Sequence, residues 1–121
     1  MQAAYSSSAP HLVPARKYDR DMKDWGVIPT MIEGKSHTSG VMLSCNADGS
    51  SEVGIWVCTP GYWNCHVTSD EFCHFLEGHC TYTHETGEVI EIVPDTVAFF
   101  PRDWKGTCRV RETVRKVYMI R

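Results

Sequence analysis

From Val41 onward, apolar and polar positions alternate in short runs broken by turn residues. The runs VMLSC, VGIWVC, YWNCHVT, EFCHFLE, HCTYTH, EVIEIV, TVAFF, TCRVR and VRKVYMI are rich in β-branched and aromatic residues. Between them lie NADGSS, TPG, SD, G, ETG, PD, PRDWKG and ET, where Gly, Pro, Asn and Asp favour turns. A period of two with turn chemistry recurring every eight to twelve residues or so predicts about nine short strands and an all-β sandwich or barrel. Parallel βαβ units are not expected, because no helical stretch intervenes. Residues 1–40 read differently. SSSAPHLVPARKYDRDMKDWG and EGKSHTSG are rich in Pro, Ser, Gly and charge, without a sustained helical period. They are expected to form an N-terminal arm preceding a barrel domain of residues 41–121. DRDMKDW can form one short helical turn there, with Trp25, Val27, Ile28, Met31 and Ile32 lying against the main body.

Strand alternation also assigns faces. Trp63, Cys65 and Val67 share one face of their strand, and Glu71, Cys73 and Phe75 share one face of the next. The opposite face is not freely polar, since it carries Phe72, His74 and Leu76. Both faces therefore need cover, which the arm or a partner subunit would supply, and a homodimer is expected.

Composition narrows the class. With 121 residues, 42% hydrophobic and 22% charged, the chain is an ordinary folded domain rather than a disordered, collagenous or coiled-coil one. A single core at this length removes roughly two thirds of the unfolded surface from water. A metal is thus not required for folding, and any metal site would serve function. GIWVC, VAFF and VYMI fall far short of the ~20 apolar residues that cross a bilayer, and MQAAYSSSAP lacks the apolar segment of a secretory signal. The expectation is a cytoplasmic protein without a membrane partner. A net charge of −3 offers no electrostatic footprint for nucleic acid, and none is expected as a partner. The charge is unevenly spread: no Lys or Arg lies between Lys35 and Arg102, while the segment from Arg102 onward is basic. This fits cross-strand pairing or a basic rim that receives an anionic ligand. Six cysteines without a CxxC pair read as free thiols of a reducing compartment.

The runs GIWVCTPGYWNCHVTSDEFCHFLEG and TGEVIEIVPDTVAFFPRDWKGTCRVRETVRKVYMI resemble the cupin superfamily. More narrowly, they resemble the small single-domain cupins grouped with the ureidoglycine-aminohydrolase cupin domain, a set that includes the ethanolamine-utilisation cupin EutQ. The shared features are the GIW-xx-TPG-x-W opening, DEFCHFLEG, FFP-xx-WKGT and a terminal ETVRKVY strand. The resemblance implies a cupin (RmlC-like) jelly-roll β-barrel, dimerisation, and in many members a metal inside the barrel held by His-x-His, a glutamate and a third histidine. Aligned through Glu71 and Gly78, the two His-x-His positions fall on Cys65 and Val67, and the third histidine falls on Gly106. The Glu, two His and Gln ligands of the aminohydrolase branch align with Cys65, Val67, Glu71 and Gly106, where only a carboxylate remains. That activity is not carried over. In the turns, Pro94-Asp95-Thr96 and Pro101-Arg102-Asp103 stand where cupins have Pro-Gly-Asp and Pro-x-Gly. Aspartate tolerates the left-handed conformation, so both turns are expected to survive.

Two readings of the interior follow. Cys65, Glu71, Cys73 and Cys108 are candidate ligands of one divalent zinc, iron, manganese or nickel ion. Alternatively no metal binds, and the cysteines line a core with one carboxylate. Glu71 facing an apolar interior would have a raised proton affinity suited to acid–base work. Paired with Arg109 or Arg111, its affinity would instead be lowered. Lys105 in the PRDWKGT turn is placed at the mouth, as catalytic anchor for an anion or as partner of Glu71. Trp56, Trp63, Trp104 and Arg109 are candidate substrate-binding residues, the tryptophans otherwise being core. His66 and His74 could meet across a hairpin or be satisfied singly, and His11, His37, His79 and His84 read as surface. The expected function is a cytosolic cupin binding a small polar or anionic metabolite in its barrel. It would act either as a metal-assisted or acid–base hydrolase, isomerase or lyase, or as a non-catalytic binding or assembly protein.

Overall fold

The computed structural model describes residues 13–17, 19 and 21–121, and among these every regular element is a β-strand. The strands are β1 (Lys23–Val27), β2 (Met31–Glu33), β3 (His37–Cys45), β4 (Glu52–Cys58), β5 (Gly61–His66), β6 (Glu71–His84), β7 (Val89–Ile92), β8 (Thr96–Phe100) and β9 (Lys105–Ile120). All pairings are antiparallel. The two long strands β6 and β9 pair along nearly their whole length and form a spine. The other edge of β9 is shared by β4 and β5, and the other edge of β6 by β8 and β7. The sheet curls about this spine, and β3, β1 and β2 extend it. The all-β class expected from the alternation is the observed one.

Two differences from the sequence pattern have local causes. EFCHFLE and HCTYTH form one strand, because Gly78 (φ +91) absorbs the break as a bulge. The register between β6 and β9 shifts on either side of it. A Cβ at Gly78 would stand 2.3 Å from the Thr113 carbonyl oxygen, so only glycine lets the strands approach here. TCRVR and VRKVYMI likewise run together as β9.

The expected arm also ends sooner. Its residues 23–27, 31–33 and 37–40 lie in strands, so the sheet begins at Lys23 rather than Val41. DRDMKDW makes one turn, in which the Met22 N–H donates to the Asp19 carbonyl at 3.3 Å, and no helix follows it, because pairing of Lys23 with Gly40 and Val27 with His37 takes the chain into β1. Of residues 13–17 and 19, Arg16 and Asp19 bond to the sheet and the turn beside it. The Arg16 guanidinium donates to the Leu76 carbonyl at 2.6 Å and to Asp95 at 2.7 Å, and Arg115 donates to Asp19 at 2.7 Å. His11 lies outside the described residues. On the outer face Leu76 is buried, whereas Phe72, Val97, Phe99 and Met119 are about half exposed. Asp95 (φ 67) and Asp103 (φ 70) hold the left-handed turns as expected.

Candidate functional site

Inward parity places Glu52 and Trp56 of β4, Trp63 and Cys65 of β5, Glu71 of β6, and Lys116 and Tyr118 of β9 on the concave face. With Trp25 and residues 66–69 they line a cavity of about 390 Å³. Lys116 pairs in register with Trp56 on one side and Phe75 on the other. Its ammonium lies 4.5 Å from the Trp56 ring centre and 5.6 Å from that of Phe75, and donates to Glu71 Oε2 at 2.7 Å. The Cys73 thiol donates to the same oxygen at 3.3 Å.

Burial opposes both charges of this pair, yet each keeps the other ionised. Burial alone would raise the Glu71 carboxyl, but the Lys116 charge and hydrogen bond outweigh it and hold the pKa below the usual carboxylate range. Burial would lower Lys116, and the Glu71 charge instead carries it above the usual lysine value. Burial pushes the thiols up, Cys65 to about 11 and Cys73 to about 12, so both are protonated at neutral pH. Tyr118 donates to Glu52, and burial together with that bond raises its phenol.

Several sequence expectations change here. Glu71 has a lowered rather than raised proton affinity, and its partner is Lys116 rather than Arg109, Arg111 or Lys105. Parity is the reason, since the odd-numbered residues at the start of β9 face outward. Arg109 lies 4.1 Å over the Tyr62 ring and 3.7 Å from Glu33, away from the cavity. Arg111 donates to Thr81. Lys105 stands opposite His66 in register and borders a separate shallow groove beside His84. Trp56 and Trp63 wall the cavity, whereas Trp104 packs in the core against Phe100 and Tyr82. Cys108 is fully buried in that core. His66 and His74 do not meet: His66 lies 3.2 Å from Asp103 and His74 3.5 Å from Asp95. His37 and His79 similarly sit beside Asp24 and Glu91.

The donor set does not fit a metal ion. Among the described residues no three His, Cys, Asp or Glu side chains stand where they could hold one. Val67 and Gly106 offer no donor, and a Cβ at Gly106 would meet the Thr83 carbonyl at 2.0 Å, leaving no room for a ligand side chain. A metal ion bound at Glu71 Oε2 would have to displace the Lys116 ammonium from that oxygen. Sequence reasoning missed Lys116, Tyr118 and Glu52, although a signal existed. Parity carried from Cys108 through Val110 and Val114 turns Lys116 and Tyr118 inward, and Glu52 shares parity with Trp56.

The model of the EutQ-like cupin domain family matches residues 45–118. No curated protein matches the chain. Among solved structures, a putative ethanolamine utilization protein EutQ from Salmonella typhimurium is 24% identical, with a TM-score of 0.60 over 69% of this chain and 68% of that one. A protein of unknown function of the DUF861 family from Pseudomonas syringae is 16% identical, with a TM-score of 0.75 over 83% of this chain and 44% of that one. A DUF861 family protein from Thermotoga maritima is 30% identical, with a TM-score of 0.52 over 53% of this chain and 73% of that one.

Proposed function

The chain belongs to the EutQ-like cupin domain family, and from that premise we propose that it is a ligand-binding cupin that holds a small polar metabolite inside the barrel without a metal ion. The observation that carries this reading is the Lys116–Glu71 pair on the wall of an aromatic-lined cavity. The ammonium is the partner of Glu71, the one carboxylate left of the metal ligands that the family resemblance implies. Each partner is held in its charged form by the other. The pair therefore serves as a fixed polar anchor, and binding rather than acid–base turnover is the activity it supports. Six free cysteines suit a reducing compartment such as the cytoplasm. The exposed row formed by Phe99, Phe72 and Met119 in register supports pairing of two copies.

Two measurements on protein purified without chelator test the reading. Plasma mass spectrometry should find far less than one transition metal per chain. A panel of small polar metabolites should include compounds that raise the melting temperature of the wild type, with the effect lost in Trp56→Ala. Near-stoichiometric metal that disappears in Glu71→Ala would overturn the metal-free site. Stabilisation that persists in Trp56→Ala would place the ligand elsewhere.

A further inference from the structure

The cavity has an unbalanced set of polar groups. Its lining carries two carboxylates, Glu52 and Glu71, against one ammonium, Lys116, while the His66 imidazole, also in the lining, has its own carboxylate partner in Asp103, so one carboxylate is left in excess. The ammonium is not offered to a ligand. Its side chain is only 9% exposed, and it is enclosed by Glu71 and by the faces of Trp56 and Phe75. The Glu71 side chain is the more open partner at 19%, and both of its hydrogen bonds fall on Oε2. Oε1 retains its accepting capacity. Glu52 likewise takes the Tyr118 hydroxyl on Oε2 and keeps its other oxygen.

An independent feature points the same way. The Trp63 side chain lines the cavity at 7% exposure, and its indole Nε1–H has no hydrogen-bond partner among the described residues. A buried donor left unpaired is costly, and a ligand oxygen that parts the cavity wall to reach it would remove that cost. The rings of Trp25, Tyr82 and Phe100 also line the cavity, beside the Trp56 ring that Lys116 covers, and aromatic rings attract cations.

We infer that the cavity selects a small organic cation that also carries a hydroxyl or carbonyl oxygen. Its N–H groups are received by Glu52 and the free oxygen of Glu71, and its oxygen by the Trp63 indole N–H. This rests on the ligand-binding reading and sharpens it, replacing the anionic metabolite that the basic C-terminal segment suggested. An anion would face the excess carboxylate while the one inward ammonium is shielded from it.

A matched series on the full-length chain tests the assignment: 3-aminopropan-1-ol, propane-1,3-diol, 3-hydroxypropanoate and propylammonium. Binding is followed by calorimetry and by the ¹⁵N–¹H signal of the Trp63 indole, assigned with Trp63→Phe. The amino alcohol should bind about tenfold or more tighter than the diol, with 3-hydroxypropanoate weakest, and should shift the Trp63 signal. Glu52→Gln keeps an acceptor for Tyr118 and should remove the preference for the cation without loss of folding. Trp63→Phe keeps the ring and should erase the advantage of the amino alcohol over propylammonium. If 3-hydroxypropanoate binds tightest, the charge assignment falls while the ligand-binding reading stands. If all four compounds leave heat and indole signals unchanged, both fall.

Discussion

Lys116 and Glu71 stay ionised in surroundings that would neutralise either one alone, so each depends on the other. Removing one partner of a buried pair strands the other charge and costs about 3–5 kcal/mol, whereas replacing both with apolar groups is often close to neutral. Lys116→Met should therefore lower the urea midpoint sharply, and Lys116→Met with Glu71→Leu should recover most of the loss. Equal losses in the single and double variants would show that the two groups are not coupled. The pH response has a definite sign. Because the Glu71 pKa lies below its ordinary value of 4.5 in the folded protein, its contribution is present above that value. It is lost as pH falls through the folded value. Lys116, raised from 10.5, contributes fully below that value and less as pH rises beyond it. Between these limits the pair adds a constant amount. In Lys116→Met burial acts on Glu71 unopposed, so the folded pKa moves above the unfolded one. The contribution of Glu71 is then present at low pH and fades as pH rises. From about pH 4.5 to 7 the variant should lose stability relative to wild type with each step upward. Urea midpoints measured across that range check the sign, and a constant difference would refute it.

At the scale of elements, the β6–β9 spine decides which residues meet, and Gly78 keeps β6 continuous. Gly78→Ala faces both a left-handed backbone (φ +91) and a carbonyl 2.3 Å from the new Cβ. Gly87→Ala faces a similar φ of +100 with nothing within 4 Å. Backbone strain of this kind costs about 1–3 kcal/mol. Gly87→Ala should lose only that, and Gly78→Ala distinctly more, because the clashing atom is backbone and cannot step aside. Urea denaturation of the two variants separates strain from clash; equal losses would mean that the spine yields at Gly78. The same comparison shows what the sequence could reveal. Period-two alternation assigns Trp63, Cys65, Glu71 and Cys73 to the interior without any tertiary information. It does not distinguish a glycine that ends a strand from one that bulges it, since that depends on how close Thr113 comes. It does not reveal β1 either. KDWGV alternates only at Trp25 and Val27, too short a run to mark a strand by itself, and forms one through its pairing with β3. Parity along β9 suffices to turn Lys116 inward, but its meeting with Glu71 across 45 residues follows from the β6–β9 register, which no local pattern encodes.

For the molecule as a whole, the outer face is divided between two kinds of cover. On one side of the β6–β9 surface Arg16 donates to the Leu76 carbonyl and to Asp95, and Leu76 is buried there. The other side presents Phe72 at 46%, Phe99 at 56% and Met119 at 51% exposure, aligned across β6, β8 and β9, with Val97 beside them. Three large apolar side chains in one cross-strand row favour a partner surface of the same kind, and a two-fold axis lets the same row meet itself. The chain should therefore sediment at twice its 13.7 kDa mass. Phe72→Asp places a charge at the centre of the row, opposite its own copy in the dimer, and should yield the single-chain mass. Phe72 points away from the cavity, so the indole signal of Trp63 should not move in that variant. A wild type that sediments as one chain would refute the pairing, and so would a Phe72→Asp variant that still pairs. A shifted Trp63 signal in the variant would mean that the two faces of the sheet are coupled, and the cavity would then have to be studied in the paired state.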